Sequence, residues 1–459
     1  MDLSADFIKM LQHTLPHEAQ ELVLAITGTE PSVSIRVNDT KTHASPNGAQ
    51  QVPWCPLGFY LVNRPQFTFD MGFQAGHYYV QDASSMFLWH VIKEVVKKPV
   101  TYLDLCAAPG GKTTTALSAL PQGSLVVANE IVPSRARTLC DNVAKWGASN
   151  CLVTSNEPAA LGRLKHCFDV IATDVPCSGE GMMRKDDEAV SQWSPALVEQ
   201  CAARQRTIIA DVWQALKPGG LLIYSTCTYN RSENEEMIEW IASEFGAASV
   251  KIPILDEWNI TPAIGSAMHA YRFLPHRTRG EGLFMAVLQK PDDQPCTPLQ
   301  VKKAKPATKV VQAAQVRTWL TCPDDFAFSE VGDNIVATPQ SLAPLLSLMQ
   351  ASRLHVLLSG IQVATTKGKN LIPHWALAHS TALNRNAFAT YEVDYRTAIS
   401  FLQGNAMQID APRGYVLLTH DDMPVGWVNN LGNRANNLLP KPLRILSQYI
   451  PADPPHLLT

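Results

Sequence analysis

The chain has 459 residues, more than one hydrophobic core usually serves, so two to four domains are expected. Hydrophobic residues make up 46% and charged residues 17%, which argues against general disorder, while a formal net charge of −3 carries no global signature of a nucleic-acid binder. No run of about 18 apolar residues and no basic leader with an apolar core occurs, so neither membrane spanning nor secretion is supported and a cytoplasmic monomer is expected.

Residues 1–98 read as an N-terminal module, with an amphipathic start, a strand at 32–38 (SVSIRVN) and a Pro- and Gly-rich stretch over 46–65. Within 73–87, a segment more polar than a buried helix needs, His77 and Gln81 are read as satisfied core residues. Residues 99–290 then alternate strands and helices, with strands near 101–106, 124–129, 151–154, 168–173 and 221–225. A tight turn is expected at Lys217-Pro218-Gly219-Gly220, a helix over 234–245, and a strand over 282–290 that closes the sheet edge. This pattern predicts a doubly wound α/β domain.

The stretch 100–117, VTYLDLCAAPGGKTTTAL, combines a buried strand, a glycine turn and a helix start, which is the ligand-binding junction of such a sheet. A Walker A loop would need glycine where Cys106 stands, and the adjacent Gly110 and Gly111 do not make the dinucleotide fingerprint. The third reading is an S-adenosylmethionine loop, where backbone groups hold the methionine part and no pyrophosphate is cradled. It calls for a carboxylate further on, and Glu130 stands at the end of the second strand, about 20 residues after the turn, where it can accept from ribose hydroxyls.

Residues 291–312 are rich in Pro, Lys, Asp and Gln and read as a linker. A small intermediate domain is expected over 313–380, with a helix at 340–350 and a strand at 354–358. The last segment, 381–459, carries short strands at 414–419, 425–429 and 443–446 and is predicted to be a small β-barrel. From residue 297 onward there are 14 Lys plus Arg against 10 Asp plus Glu, leaving 24 against 31 before it, a balance that permits a local phosphate-binding patch without requiring one.

The ten cysteines contain no Cys-x-x-Cys pair and no His-x-x-x-His partner, which argues against structural zinc, and in a cytosol they are thiols. Cys177 and Cys227 differ from the rest because each follows a strand carboxyl end, in Asp174-Val175-Pro176-Cys177 and Thr226-Cys227. The fourth and fifth strands of such a sheet are neighbours, and the fourth lies beside the first, so both thiols should open into one cleft with the glycine loop. Cys140, Cys151, Cys167 and Cys201 are read as small buried hydrophobes.

The segments LDLCAAPGGKT, TDVPCSGEGMMRKD and YSTCTYNRSENEE resemble, in order and spacing, the motifs of the Nop/Sun family of RNA cytosine-5 methyltransferases, over about residues 30–290. The segment MPVGWVNNLGNRANNLLPKPLRI resembles the PUA-like RNA-binding end of bacterial ribosomal small-subunit methyltransferases of the F type. The resemblance implies a Rossmann-like, S-adenosylmethionine-dependent core, a PUA-like RNA-binding domain and 16S rRNA as substrate, and with the cysteine spacing above no metal is expected. By resemblance Cys227 is the nucleophile that adds to cytosine C6, which makes C5 reactive toward the methyl group, and Cys177 assists release; sequence position alone does not decide between them. The cofactor loop would comprise Cys106, Ala107, Ala108, Pro109, Gly110, Gly111 and Lys112, with Glu130 on the ribose and Glu157 at the adenosine half. Asp174 would meet the cytosine amino edge or the cofactor, and Lys112 would orient the loop or a nearby carboxylate.

Arg184 and Lys185 are offered as phosphate contacts or as a solvated turn, and Arg385, Arg413, Arg434, Lys441 and Arg444 as phosphate contacts of the tail. Two departures from the family pattern, Val175 for alanine and Cys106 for a small residue, remove no reacting group. The competing readings are a transfer-RNA methyltransferase and a non-catalytic RNA-binding assembly factor.

Overall fold

The computed structural model describes residues 2–292 and 313–458, so almost all of the expected linker lies outside the described residues. Near the N-terminus, Ser4 caps the helix Ala5–Thr14 by accepting from the Phe7 amide. This helix and its partner Ala19–Gly28 bury Phe7, Leu11 and Leu22 against Met183, Trp193 and Tyr229, so the N-terminal helices brace the loop that follows Cys177. A four-stranded sheet follows, built from β1 (Val33–Val37), β2 (Gln50–Val52), β3 (Cys55–Leu61) and β4 (Tyr78–Val80) in the order β2-β3-β1-β4. The fully buried Arg36 of β1 ties this sheet to the core: its guanidinium donates to Gln81 Oε1 at 2.8 Å and Thr114 Oγ1 at 2.6 Å and lies over the Trp146 ring.

The central sheet contains β5 (Thr101–Asp104), β6 (Leu125–Asn129), β7 (Cys151–Thr154), β8 (Phe168–Asp174), β9 (Leu216–Thr226), β10 (Ala248–Ser249), β11 (Thr261–Pro262), β12 (Tyr271–Phe273) and β13 (Leu283–Gln289). Its middle runs β7-β6-β5-β8-β9 and is parallel throughout; β13 joins β9 antiparallel. Strand residues alternate between faces, so Tyr102 and Val126 enter one apolar cluster while Leu103 and Val127 enter the other. Two expectations are corrected here. The Lys217–Gly220 turn is no separate turn but a bulge inside β9, where the pairing with β8 shifts register and Gly219 takes φ +69°. A Cβ on Gly220 would come within 2.8 Å of the Lys217 carbonyl, which is why the bulge is built from glycines. The edge of the sheet is not β13 either, because β12 and β11 continue beyond it.

The C-terminal part adds β14 (Phe326–Val331), β15 (Asn334–Pro339), β16 (Val356–Ser359), β17 (Ile361–Lys367) and β18 (Asn370–Pro373). Four of these form the sheet β14-β15-β17-β18, whereas β16 pairs antiparallel with β7 and extends the central sheet. The helix Ala343–Ala351 places Leu345 and Met349 in the same apolar cluster as Leu103, Leu161 and Phe168. The final strands β19 (Ala389–Glu392), β20 (Gly414–His420), β21 (Met423–Asn430) and β22 (Ala435–Asn437) form a mixed four-stranded sheet in that order. No strand forms over 443–446; Pro440 and Pro442 lack amide hydrogens, and the chain makes a single 3-10 turn at Lys441–Leu443 instead. Leu417 and Trp427 of this sheet share one apolar cluster with Ile335, Val363 and Leu377, so the segments before and after residue 380 are packed as one body.

Candidate active site

The glycine turn works as its composition requires. Gly110 takes φ +115° at the start of the helix Gly111–Ala119, a conformation that strains any residue with a Cβ. Thr113 on that helix donates to Asp104 Oδ2 at 2.7 Å, which pins the helix start to the end of β5. Asp104 is 2% exposed, and burial, partly offset by the Thr113 hydrogen bond, raises its pKa to about 6.

Asp174 closes β8 and is held from two sides. Lys112 Nζ donates to Oδ2 at 2.8 Å, and Ser225 Oγ, on the neighbouring β9, donates to Oδ1 at 2.9 Å. Burial would lower the Lys112 pKa, but the Asp174 carboxylate, with Cys227 and Asp104 behind it, more than offsets this and keeps the ammonium charged. The carboxylate that Lys112 orients is therefore Asp174.

Cys177 and Cys227 lie with their sulfurs 3.1 Å apart, in thiol hydrogen-bonding distance and unbonded. Their loops are fastened behind the sulfurs: the Gly181 amide donates to the Cys227 carbonyl at 2.8 Å, and the Ser178 amide and hydroxyl both donate to Glu233. Gln205 and Asn230 also donate to Glu233, so the network joins the two cysteine loops and one helix. The hydrogen bond to Cys227, followed by burial, lifts the Cys177 pKa well above the ordinary thiol value. Cys177 therefore keeps its proton, either sulfur can donate across the 3.1 Å contact, and the Cys227 sulfur lies near the Lys112 charge.

A cleft of about 520 Å³ opens from the sulfurs along the strand ends, a size within the usual range for small-molecule sites. Cys106, Ala108, Glu130, Glu157, Asp174, Cys177 and Cys227 line it. Ala107, Pro109, Gly110, Gly111 and Lys112 do not; Gly110 backs onto Leu139 and Gly111 onto Tyr79. Cys106 receives a contact from Thr173 Oγ1 at 3.7 Å, and burial pushes its pKa up to about 12, as befits a packed thiol. Glu130 lines the cleft, accepts from the Val132 amide at 2.9 Å and stands 3.6 Å from Arg135; a carboxylate has capacity for further hydrogen bonds.

A further wall, which no motif in the sequence marks, comes from the helix Pro195–Val212. Arg204, Thr207, Ile208 and Asp211 follow the spacing i, i+3, i+4, i+7 of one helix face, a signal the sequence carries. Arg184 corrects the expectation of a phosphate contact: its side chain, 7% exposed, makes a two-pronged ion pair with Glu281, 5% exposed, at 2.9 and 2.8 Å. Lys185 joins the same carboxylate at 3.1 Å. In the tail, Arg444 donates to the Leu439 carbonyl and Arg385 pairs with Asp422, while Arg413, Arg434 and Lys441 are exposed. Among the described residues the one set of three metal-capable side chains within mutual reach, Glu392, His420 and Asp421, lies on the C-terminal sheet and not in the cleft.

The ribosomal RNA small subunit methyltransferase F of Erwinia tasmaniensis is 30% identical to this chain over 95% of it and 96% of that protein. The protein of the same name from Aliivibrio fischeri is 31% identical, again over 95% and 96%. The chain belongs to the ribosomal RNA small subunit methyltransferase F family. Family models agree along its length: residues 95–289 match 16S rRNA methyltransferase RsmB/F, residues 3–83 the N-terminal domain of 16S rRNA methyltransferase RsmF, and residues 388–445 the methyltransferase RsmF PUA domain. Among solved structures, a methyltransferase homologue from Pyrococcus horikoshii is 25% identical, with a TM-score of 0.53, covering 62% of this chain and 95% of that one. NSun6 from Pyrococcus horikoshii, solved with SFG, has the same fold at 19% identity and a TM-score of 0.54, over 62% and 98%. The fold that these two structures share with this F-family member covers 62% of it, and the family's N-terminal and PUA models match residues 3–83 and 388–445.

Proposed function

We propose that this chain transfers a methyl group from S-adenosylmethionine to C5 of a cytosine in 16S rRNA, through a covalent bond between Cys227 and C6. The observation that carries the reading is the pair of sulfurs 3.1 Å apart at the ends of adjacent parallel strands, in the same cleft as the carboxylates. The donor set fits the cofactor. Glu130, Glu157, Asp174 and Asp211 line the cleft, and carboxylates suit both ribose hydroxyls and a ligand that carries positive charge. When bound, S-adenosylmethionine supplies an electrophilic methyl group. Glu130 is assigned to the ribose, Glu157 to the adenosine half, and Cys106 and Ala108 to the methionine side.

The target base must be unpaired or flipped out to reach the sulfurs, which costs a few kcal/mol. The Cys227 electron pair forms the bond to C6, and electron density moves to C5. Asp174, held by Lys112 and Ser225, is assigned to the cytosine amino edge or to the cofactor. After transfer the C5 proton leaves to a base, the S–C6 bond breaks, and Cys227 regains its pair. Cys177, protonated beside Cys227, is the group that assists this release.

The test separates the two thiols. Cys227→Ala should abolish methylation and form no covalent RNA complex. Cys177→Ala should still add and methylate, so that a protein–RNA adduct stable to denaturing electrophoresis accumulates. An adduct with Cys227→Ala and none with Cys177→Ala would reverse the roles, and full turnover by both variants would end the covalent reading. Bisulfite sequencing of 16S rRNA from a deletion strain identifies the cytosine.

A further inference from the structure

A second cavity, of about 210 Å³, lies away from the cleft where three distant parts of the chain meet. Lys41 enters from the loop after β1, His77 from the turn before β4, and His379 and Arg385 from the segment leading into the C-terminal sheet. No aspartate or glutamate lines it. Lys41 Nζ donates to the Ala75 carbonyl at 2.8 Å and the Lys145 carbonyl at 2.6 Å, so it also caps the end of the helix Pro133–Trp146 and keeps a third N–H. Gly147, at φ +91°, makes this approach possible, since a Cβ there would stand 2.4 Å from the His379 carbonyl and 2.8 Å from Lys41 Cε. His379 is 7% exposed and its Nδ1 has no partner among the described residues.

We infer that this cavity binds a backbone phosphate of the RNA substrate, clamping the strand between the N-terminal part and the C-terminal sheet. The inference rests on the RNA methyltransferase reading and names a contact that reading does not assign. Lys41, His77, His379 and Arg385 converge on one small space that no carboxylate lines, the arrangement that an oxyanion completes. Asp422 pairs with Arg385, but its side chain is 92% exposed, so the pair is a water-screened surface contact that a phosphate can outcompete. Asp141 acts on Lys145 and does not line the space. The crowding shows in the titration of these groups. Burial, then Lys145, lowers Lys41 to about 7; burial, then Lys41 and Arg385, lowers His77 to about 4; His379 is pushed down by burial and by the same lysines. A bound anion would reverse each of these shifts.

The placement favours RNA over a free ion. Arg135 lines the catalytic cleft and Lys145 stands beside the second cavity, and both lie on the helix Pro133–Trp146. Ten residues of α-helix span about 15 Å, a distance of a few nucleotides. A strand with its target base at Cys227 and its flank on the C-terminal sheet would cross this seam.

The test uses the full-length protein, a 16S rRNA transcript and inorganic phosphate. Arg385→Gln and the double variant Arg385→Gln/His77→Gln should raise KM for the transcript several-fold. They should also flatten the slope of log K against log salt by about one for the lost phosphate contact, while Arg385→Lys retains it. Phosphate should displace the transcript from the wild-type protein more strongly than chloride at equal ionic strength, and that excess should vanish in the double variant. An unchanged salt slope in a folded Arg385→Gln protein would overturn the inference. So would loss of the phosphate effect with RNA binding intact, which would assign the cavity to a free anion. A wild-type protein that neither binds nor methylates the transcript would instead overturn the RNA reading itself.

Discussion

Asp104 shows how a single buried carboxyl couples the cofactor loop to pH. Its pKa rises from 3.8 to about 6 because burial outweighs the one hydrogen bond from Thr113. Between those values the folded state holds a proton that the unfolded state has lost, so stability falls as pH rises through this window and stays lower above it. The full difference is about 3 kcal/mol. Asp104→Asn should abolish that slope, as read from denaturant unfolding at pH 4 and pH 7; an unaltered slope would place the carboxyl in water. Glu130 is tested separately, since Glu130→Ala removes an acceptor that lines the cleft. Calorimetry should show S-adenosylmethionine binding weakened by about 1.5–3 kcal/mol, the range for a hydrogen bond to a charged group. Unchanged affinity would remove Glu130 from the ribose.

At the scale of elements, the active-site loop is held by its neighbours more than by its own sequence. The loop after Cys177 is packed beneath the N-terminal helices and tied by Arg184 to Glu281, just before β13. Breaking a buried ion pair by removing one partner costs about 3–5 kcal/mol, and here Lys185 remains beside Glu281 to soften the loss. Arg184→Met should therefore lower stability by about 2–4 kcal/mol and reduce turnover. It should leave the salt dependence of RNA binding as in the wild type, the opposite of what an Arg385 variant does. A flattened salt slope would return Arg184 to the RNA surface.

The whole molecule is more continuous than a string of modules. β16 completes the central sheet beside β7, the helix Ala343–Ala351 covers its apolar face, and Trp427 fills a cluster shared with Val363 and Leu377. Removing residues 381–459 would uncover that cluster. A chain ending at residue 380 should bind a hydrophobic dye and melt at a lower temperature than the full protein, in addition to losing RNA affinity. If it melted at the same temperature as the full protein, the shared cluster would be unimportant for stability.

What the sequence determined by itself was local and periodic. The strand, glycine turn and helix of residues 100–117 follow from side-chain alternation and from the need for a residue without Cβ at Gly110. The meeting of Cys177 and Cys227 follows from the strand order of a parallel sheet. Tertiary structure decided whatever depends on long-range partners. Arg184 and Arg385 are alike as letters in a chain, yet one is neutralised by Glu281 in the interior and the other stays half-exposed beside a basic cavity. The bulge at Gly219 exists because β8 lies beside it, and β16 belongs to the central sheet because β7 offered a free edge. A residue's own chemistry is readable from its letter and spacing, but its charge state and its available hydrogen bonds depend on what folding brings against it.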